Sequence, residues 1–161
     1  MEVSIIELPQ LKAVVNKVER NGTIVREAWK RVEAFMDGHA GRANEDYGLV
    51  FIPEWQWADG VKQLWVGLQV NDFPELTSDM EELTLPARTY AKLTVCGDRG
   101  HMDAAYRYLW DWFKNEGVER DCSEGSYGFE ANRLKPVNPF HIPADVIDHF
   151  EFDIYAPIKS K

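Results

Sequence analysis

Apolar positions along this chain switch between two periods, and the whole series of switches occurs twice. An extended stretch, Leu11–Val18, leads through Asn21-Gly22 into apolar residues at Val25, Ala28, Trp29, Val32, Phe35 and Met36. That spacing predicts an α-helix with one buried face. A second stretch, Thr89–Val95, leads through Gly97-Asp98-Arg99-Gly100 into Met102, Ala105, Tyr106, Leu109, Trp112 and Phe113, each 77 positions after its counterpart. The pairs Leu8-Pro9 and Leu85-Pro86, ahead of the two stretches, keep the same offset. Asp103 is expected in the first turn of the second helix, where a negative charge suits the dipole, and Gly117 is expected to end it.

After each predicted helix comes a loop and then Tyr-Gly opening a strand-like run: Tyr47–Ile52 and Tyr127–Asn132, 80 positions apart. Each half closes on strict alternation, with Leu64, Val66, Leu68 and Val70 in the first and Phe152, Ile154, Ala156 and Ile158 in the second. Period two predicts half-buried strands. The unit is therefore strand–helix–strand–strand, written twice: residues 1–70, an acidic connector over 71–82 carrying Pro74, and residues 83–161. One helix and about three short strands make a poor core alone. The expectation is a single α+β domain of duplicated βαββ units with approximate two-fold symmetry. Two helices would pack on a mostly antiparallel, curved sheet.

Composition narrows the partners. Among 161 residues, 27 are acidic and 18 basic, a formal charge of −9. This balance disfavours a nucleic-acid backbone and suits a cationic or neutral small ligand, or a basic protein surface. Apolar residues at 45% exclude general disorder. Cys96 and Cys122 form no disulfide framework and suit a reducing compartment. The sequence carries neither a leader-like start nor an apolar run long enough for a membrane span, so the cytoplasm is the expected location.

Comparing the two halves singles out one position. Val50 in the first Tyr-Gly strand corresponds to Glu130 in the second. A carboxylate on a largely buried strand is costly unless paired, wet, protonated or met by a cation. Glu130 could anchor a flat cation among aromatic rings, or could face water and pair with Arg133 or Arg88; the pattern alone leaves both open. Asn132 shares the parity of Glu130 and can line the same face. Trp55 and Trp57 fall outside any clear period and are expected to share one side of a turn, as a wall over a groove. Trp65, between Leu64 and Val66, should face the opposite side of its strand, and Trp29, Tyr106 and Trp112 read as helix-face core. His39, His101, His141 and His149 show no metal-ligand spacing. No nucleophile elbow and no phosphate-cradling glycine loop occurs. No metal or cofactor is expected.

Several segments, taken in order, resemble the GyrI-like small-molecule-binding (effector-binding) domains of the SOUL-type fold, which form the ligand-sensing halves of multidrug-responsive transcription regulators. They are Asp46–Phe51, Asp79–Ala91, Tyr106–Trp110, Phe129-Glu130 and Phe152–Ile158. The resemblance implies a ligand groove between the two halves, with cationic aromatic ligands held against a glutamate that matches Glu130. It also implies roles for Phe150 and for Tyr47, the Tyr-Gly aromatic of the first half. Around these positions the chain departs from a drug-sensing relative: Gly97 and Met102 stand where that relative has aromatics, and Ala131, Asn132 and Arg133 where it is apolar. No helix-turn-helix precedes Ser4, so a stand-alone binding protein, a ligand sensor or sequestering module, is expected. The candidate ligand-binding residues are Glu130, Tyr47, Phe150, Trp55, Trp57 and Asn132. Two alternatives stay open: a hydrolase of reactive cyclopropane-containing toxins using Glu130, and a protein-interaction inhibitor of the DNA gyrase-antagonist type with a protein partner.

Overall fold

A computed structural model describes residues 1–77 and 79–160. Among the described residues, eight strands run β1 Val3–Leu8, β2 Leu11–Glu19, β3 Tyr47–Pro53, β4 Gln63–Val70, β5 Glu81–Leu85, β6 Arg88–Gly97, β7 Tyr127–Arg133 and β8 Phe150–Pro157. Two helices, α1 Gly22–Met36 and α2 Arg99–Glu116, follow β2 and β6. The strands form one sheet in the order β1-β6-β8-β7-β3-β4-β2-β5. All of its pairings are antiparallel. Read from either edge, the order has the same form, so β6-β8-β7 mirrors β2-β4-β3 about the β3–β7 seam. Each edge strand pairs with the other half's first βαββ strand.

The helices form where the apolar spacing places them, and both are capped. Asn21 accepts from the Thr23 and Ile24 amides at 2.9 and 3.1 Å. Asp98 accepts from His101 N at 2.8 Å, satisfying amides that a helix start leaves unpaired. This cap moves the start of α2 back to Arg99, so Asp103 lies just beyond the first turn, in place of the first-turn position expected for it. Gly117 ends α2 with φ 64°, a left-handed conformation that glycine adopts without strain. The connector is shorter than expected, because Glu81 and Glu82 already belong to β5.

Both helices cover one face of the sheet. Ala28, Trp29, Val32 and Met36 of α1 pack on Val14, Val66 and Leu68. Ala105, Leu109 and Phe113 of α2 pack on Leu93, Val95, Phe152 and Ile154. The other face carries a separate aromatic cluster around Phe51, Trp65, Tyr90 and Phe129, with Tyr155 stacked on Phe129 at 4.6 Å. Trp65 thus faces away from Leu64 and Val66, as strand parity requires. The glycines of the two Tyr-Gly pairs admit close neighbours: a Cβ on Gly48 would sit 2.7 Å from Trp29 and Phe140, and one on Gly128 would overlap the Glu54 carboxylate. Among the described residues no helix is long and apolar enough to cross a membrane.

Candidate functional site

Between α1 and α2 the sheet is left bare at the seam, and a cavity of about 650 Å³ opens there. Its floor is Val50 and Ile52 of β3 with Glu130 and Asn132 of β7. Met102, Tyr106 and Trp110 of α2 form one wall, and Val25 and Arg26 of α1 the other. Trp57, Val61 and Leu64 lie to one side; Phe140, Ile147, Phe150 and Phe152 close the remainder. Size and a largely apolar lining with a few polar groups suit a small-molecule pocket.

Glu130 stands directly across the seam from Val50 in the β3–β7 register. It is half-buried, and the Tyr106 hydroxyl donates a hydrogen bond to its carboxylate. Burial pushes the Glu130 carboxyl above its ordinary value, while the Tyr106 hydrogen bond and the Arg20 charge pull against that rise. Burial and the neighbouring carboxylate push the Tyr106 phenol well up, so it stays a donor. Neither Arg133 nor Arg88 pairs with Glu130. Arg133 meets Asp153 at 3.2 Å and Arg88 meets Asp121 at 2.8 Å. Arg20, Arg26, Arg107 and Asp103 add charge to the lining.

Trp57 is held from behind by a buried ion pair. Arg120 Nη2 donates to both Glu54 carboxylate oxygens at 3.0 Å, and the Trp57 indole N–H donates to the same carboxylate. The Arg120 guanidinium lies 4.0 Å from the Trp110 ring centre and 5.4 Å from that of Trp57. Trp57 in turn meets Tyr106 and Trp110 at 6.2 and 5.7 Å. One ion pair therefore fixes two aromatic walls of the cavity, with cation–π contacts sharing the desolvated charge. Burial pushes the Glu54 carboxyl upward, against the pull of Arg120.

A sequence model of the GyrI-like small molecule binding domain matches residues 1–130. The chain belongs to the GyrI-like family. Solved structures agree at the level of fold. The EcmrR C-terminal domain is 15% identical with a TM-score of 0.76, over 99% of this chain and 98% of that one. The EcmrR chain in its DNA complex is 14% identical with a TM-score of 0.75, and the present chain, 99% of it aligned, spans 58% of that length. SAV2435 bound to tetraphenylphosphonium is 14% identical with a TM-score of 0.63, over 99% and 95% of the two chains. A hydrolase from Listeria innocua is 10% identical with a TM-score of 0.60, over 98% and 92%. No curated protein sequence matches the chain.

In this GyrI-like chain the cavity brings together four of the six residues singled out in the sequence: Glu130, Asn132, Phe150 and Trp57. Tyr47 and Trp55 lie elsewhere, packed against the aromatic cluster on the opposite face of the sheet. For Tyr47 the reason is parity, since it is three residues from Val50 on the same strand. Trp55 and Trp57 part company because Glu54–Asp59 is a 3-10 helix rather than an extended turn. Side chains two apart there diverge by about 240°. Trp55 instead meets Tyr127 edge-on at 5.1 Å. Sequence reasoning placed Tyr106 in the core and passed over Trp110, Glu54 and Arg120. Trp110, four positions after Tyr106 and so on the same helix side, was legible; nothing in the spacing marked Glu54 or Arg120.

Proposed function

We propose that this GyrI-like protein binds hydrophobic small molecules that are cationic or planar, with Glu130 as the anionic anchor, and serves as a ligand sensor or sequestering module. The observation that carries this reading is a carboxylate bonded to Tyr106 on the floor of a largely apolar cavity. A flat cation laid on that floor neutralises Glu130 and meets Trp57, Trp110 and Phe150, with cation–π contacts worth roughly 0.5–2 kcal/mol per good ring. Asn132 offers the remaining polar contact on the floor. The test pairs tetraphenylphosphonium with an uncharged aromatic of like size, titrated calorimetrically against wild type and Glu130→Gln. The cation should lose at least about tenfold in affinity, roughly 1.4 kcal/mol, while the neutral compound is little affected. Equal losses for both compounds would remove the charge role.

A second reading, hydrolysis of a reactive electrophile such as a strained cyclopropane, is favoured by the contact between Glu130 and Tyr106. A carboxylate whose pKa burial has raised can act as general base to a water, with the phenol as donor. Turnover that disappears in Glu130→Gln supports this reading. Stoichiometric binding without product opposes it.

A further inference from the structure

The sheet register brings together three metal-ligating side chains that lie far apart in sequence. Cys96, next to last in β6, stands opposite Glu151 of β8, and His149 immediately precedes that strand. The Cys96 thiol, a His149 ring nitrogen and a Glu151 carboxylate oxygen lie within 4.8 Å of one another, and all three residues are exposed. His149 Nε2 and Glu151 Oε1 are already 2.9 Å apart.

We propose that Cys96, His149 and Glu151 form a Zn²⁺ site with its fourth position open to water. The mixed set of thiolate, imidazole and carboxylate suits zinc, a borderline-soft ion that accepts all three ligand types in tetrahedral geometry. Bond lengths of about 2.0–2.3 Å put tetrahedral ligand atoms roughly 3.3–3.8 Å apart. Exposed side chains reach that spacing by rotamer adjustment, without moving the strands. Antiparallel pairing fixes the Cα positions of Cys96 and Glu151 in advance, which lowers the entropy cost of gathering the ligands.

The site also touches the cavity's architecture. Phe150, between two of the ligands, lines the cavity and lies 5.3 Å from the Arg99 guanidinium at the start of α2. Zinc would pin both neighbours of this ring and tie β8 to the strand that feeds α2. Occupancy of the metal site is therefore expected to change the affinity of a lipophilic cation. That second effect rests on the cavity being the ligand site; the metal binding does not.

Titration of the reduced protein with Co²⁺ tests the site. The expected result is one ion per chain, a sulfur-to-cobalt charge-transfer band, and displacement by Zn²⁺. Cys96→Ser should abolish the band, and His149→Ala should weaken binding at least about tenfold. Cys122→Ser, which alters the other free cysteine, should leave both unchanged. No binding, or full binding and band in Cys96→Ser, overturns the site. Tetraphenylphosphonium affinity is measured first without metal, which tests the cavity alone, and then with Zn²⁺. If the cation binds equally with and without zinc in a chain that gives the cobalt band, the link through Phe150 is overturned and the metal site stands.

Discussion

Glu130 should give the cavity a pH signature. Its pKa is raised in the folded chain, so between the ordinary carboxylate value of 4.5 and the raised value the folded state holds a proton that the unfolded state has lost. Stability contributed by that proton is present at low pH, falls as pH rises through this window, and is flat above it. Glu130→Gln removes the dependence. Thermal melts should therefore show the variant gaining on wild type as pH rises from about 4 to 8. Affinity for a lipophilic cation should run the other way, rising with pH as Glu130 ionises. Tyr106→Phe removes a hydrogen bond that favours the ionised carboxylate, so the midpoint of the cation-binding profile should move to higher pH; an unmoved midpoint would deny Tyr106 that role. Glu130 was legible in the sequence because its counterpart in the other half is Val50. Tyr106 was not, because one helical spacing serves both core and cavity wall: its neighbour Ala105 is fully buried while Tyr106 leans over the floor.

At the scale of elements, strict periodicity was readable and short edges were not. The apolar spacing located α1, α2, β4 and β8 closely. β1 and β5 escaped it, because Val3–Leu8 and Glu81–Leu85 are short edge strands with few buried positions. The β3–β7 seam explains why the halves differ where they do. Its register pairs Val50 with Glu130, and these are also the positions that correspond between the halves. A residue at this point is its own counterpart's cross-strand neighbour. Two glutamates there would face each other as like charges on a half-buried floor, which cross-strand pairing penalises; Val50 leaves Glu130 alone with Tyr106. Behind the seam, the ion pair joins the 3-10 helix after β3 to the segment after α2. Arg120→Met strands the Glu54 carboxylate, which is only 1% exposed. The expected cost is about 3–5 kcal/mol in urea denaturation. Pairing it with Glu54→Gln should recover much of that loss, since the uncompensated charge is gone. Trp57 emission should shift in both variants, because its ring loses the Arg120 guanidinium 5.4 Å away, and in the double variant its indole N–H loses the carboxylate as well.

Over the whole molecule, two aromatic surfaces compete for the role of binding face, one on each side of the sheet. The cavity side holds Trp57, Trp110 and Phe150 with Glu130. The opposite side holds Trp55, Trp65, Tyr127 and Tyr155, with burial pushing the Tyr155 phenol up to about 12. Composition could not separate them, since it counts rings without saying which face they occupy, and the 3-10 helix that divides Trp55 from Trp57 left no periodic trace. Physics favours the first. The second surface is filled by its own edge-on contacts, Trp55 to Tyr127 at 5.1 Å and Trp65 to Tyr127 at 5.3 Å, and a ligand there would have to break packing already made. The first has an open volume and an anion. The net charge of −9 draws cations toward the molecule as a whole, so added salt should slow their association. The six tryptophans divide between the faces in a way that fluorescence can read. Binding of tetraphenylphosphonium should change the emission of wild type and of Trp55→Phe alike, and the change should largely vanish in Trp57→Phe/Trp110→Phe. Because that double variant also thins the wall, its calorimetric affinity is measured beside it: weaker binding with a lost optical change places the cation in the cavity. A change that survives there but disappears in Trp55→Phe places it on the opposite face, and Glu130 would then have no part in holding it.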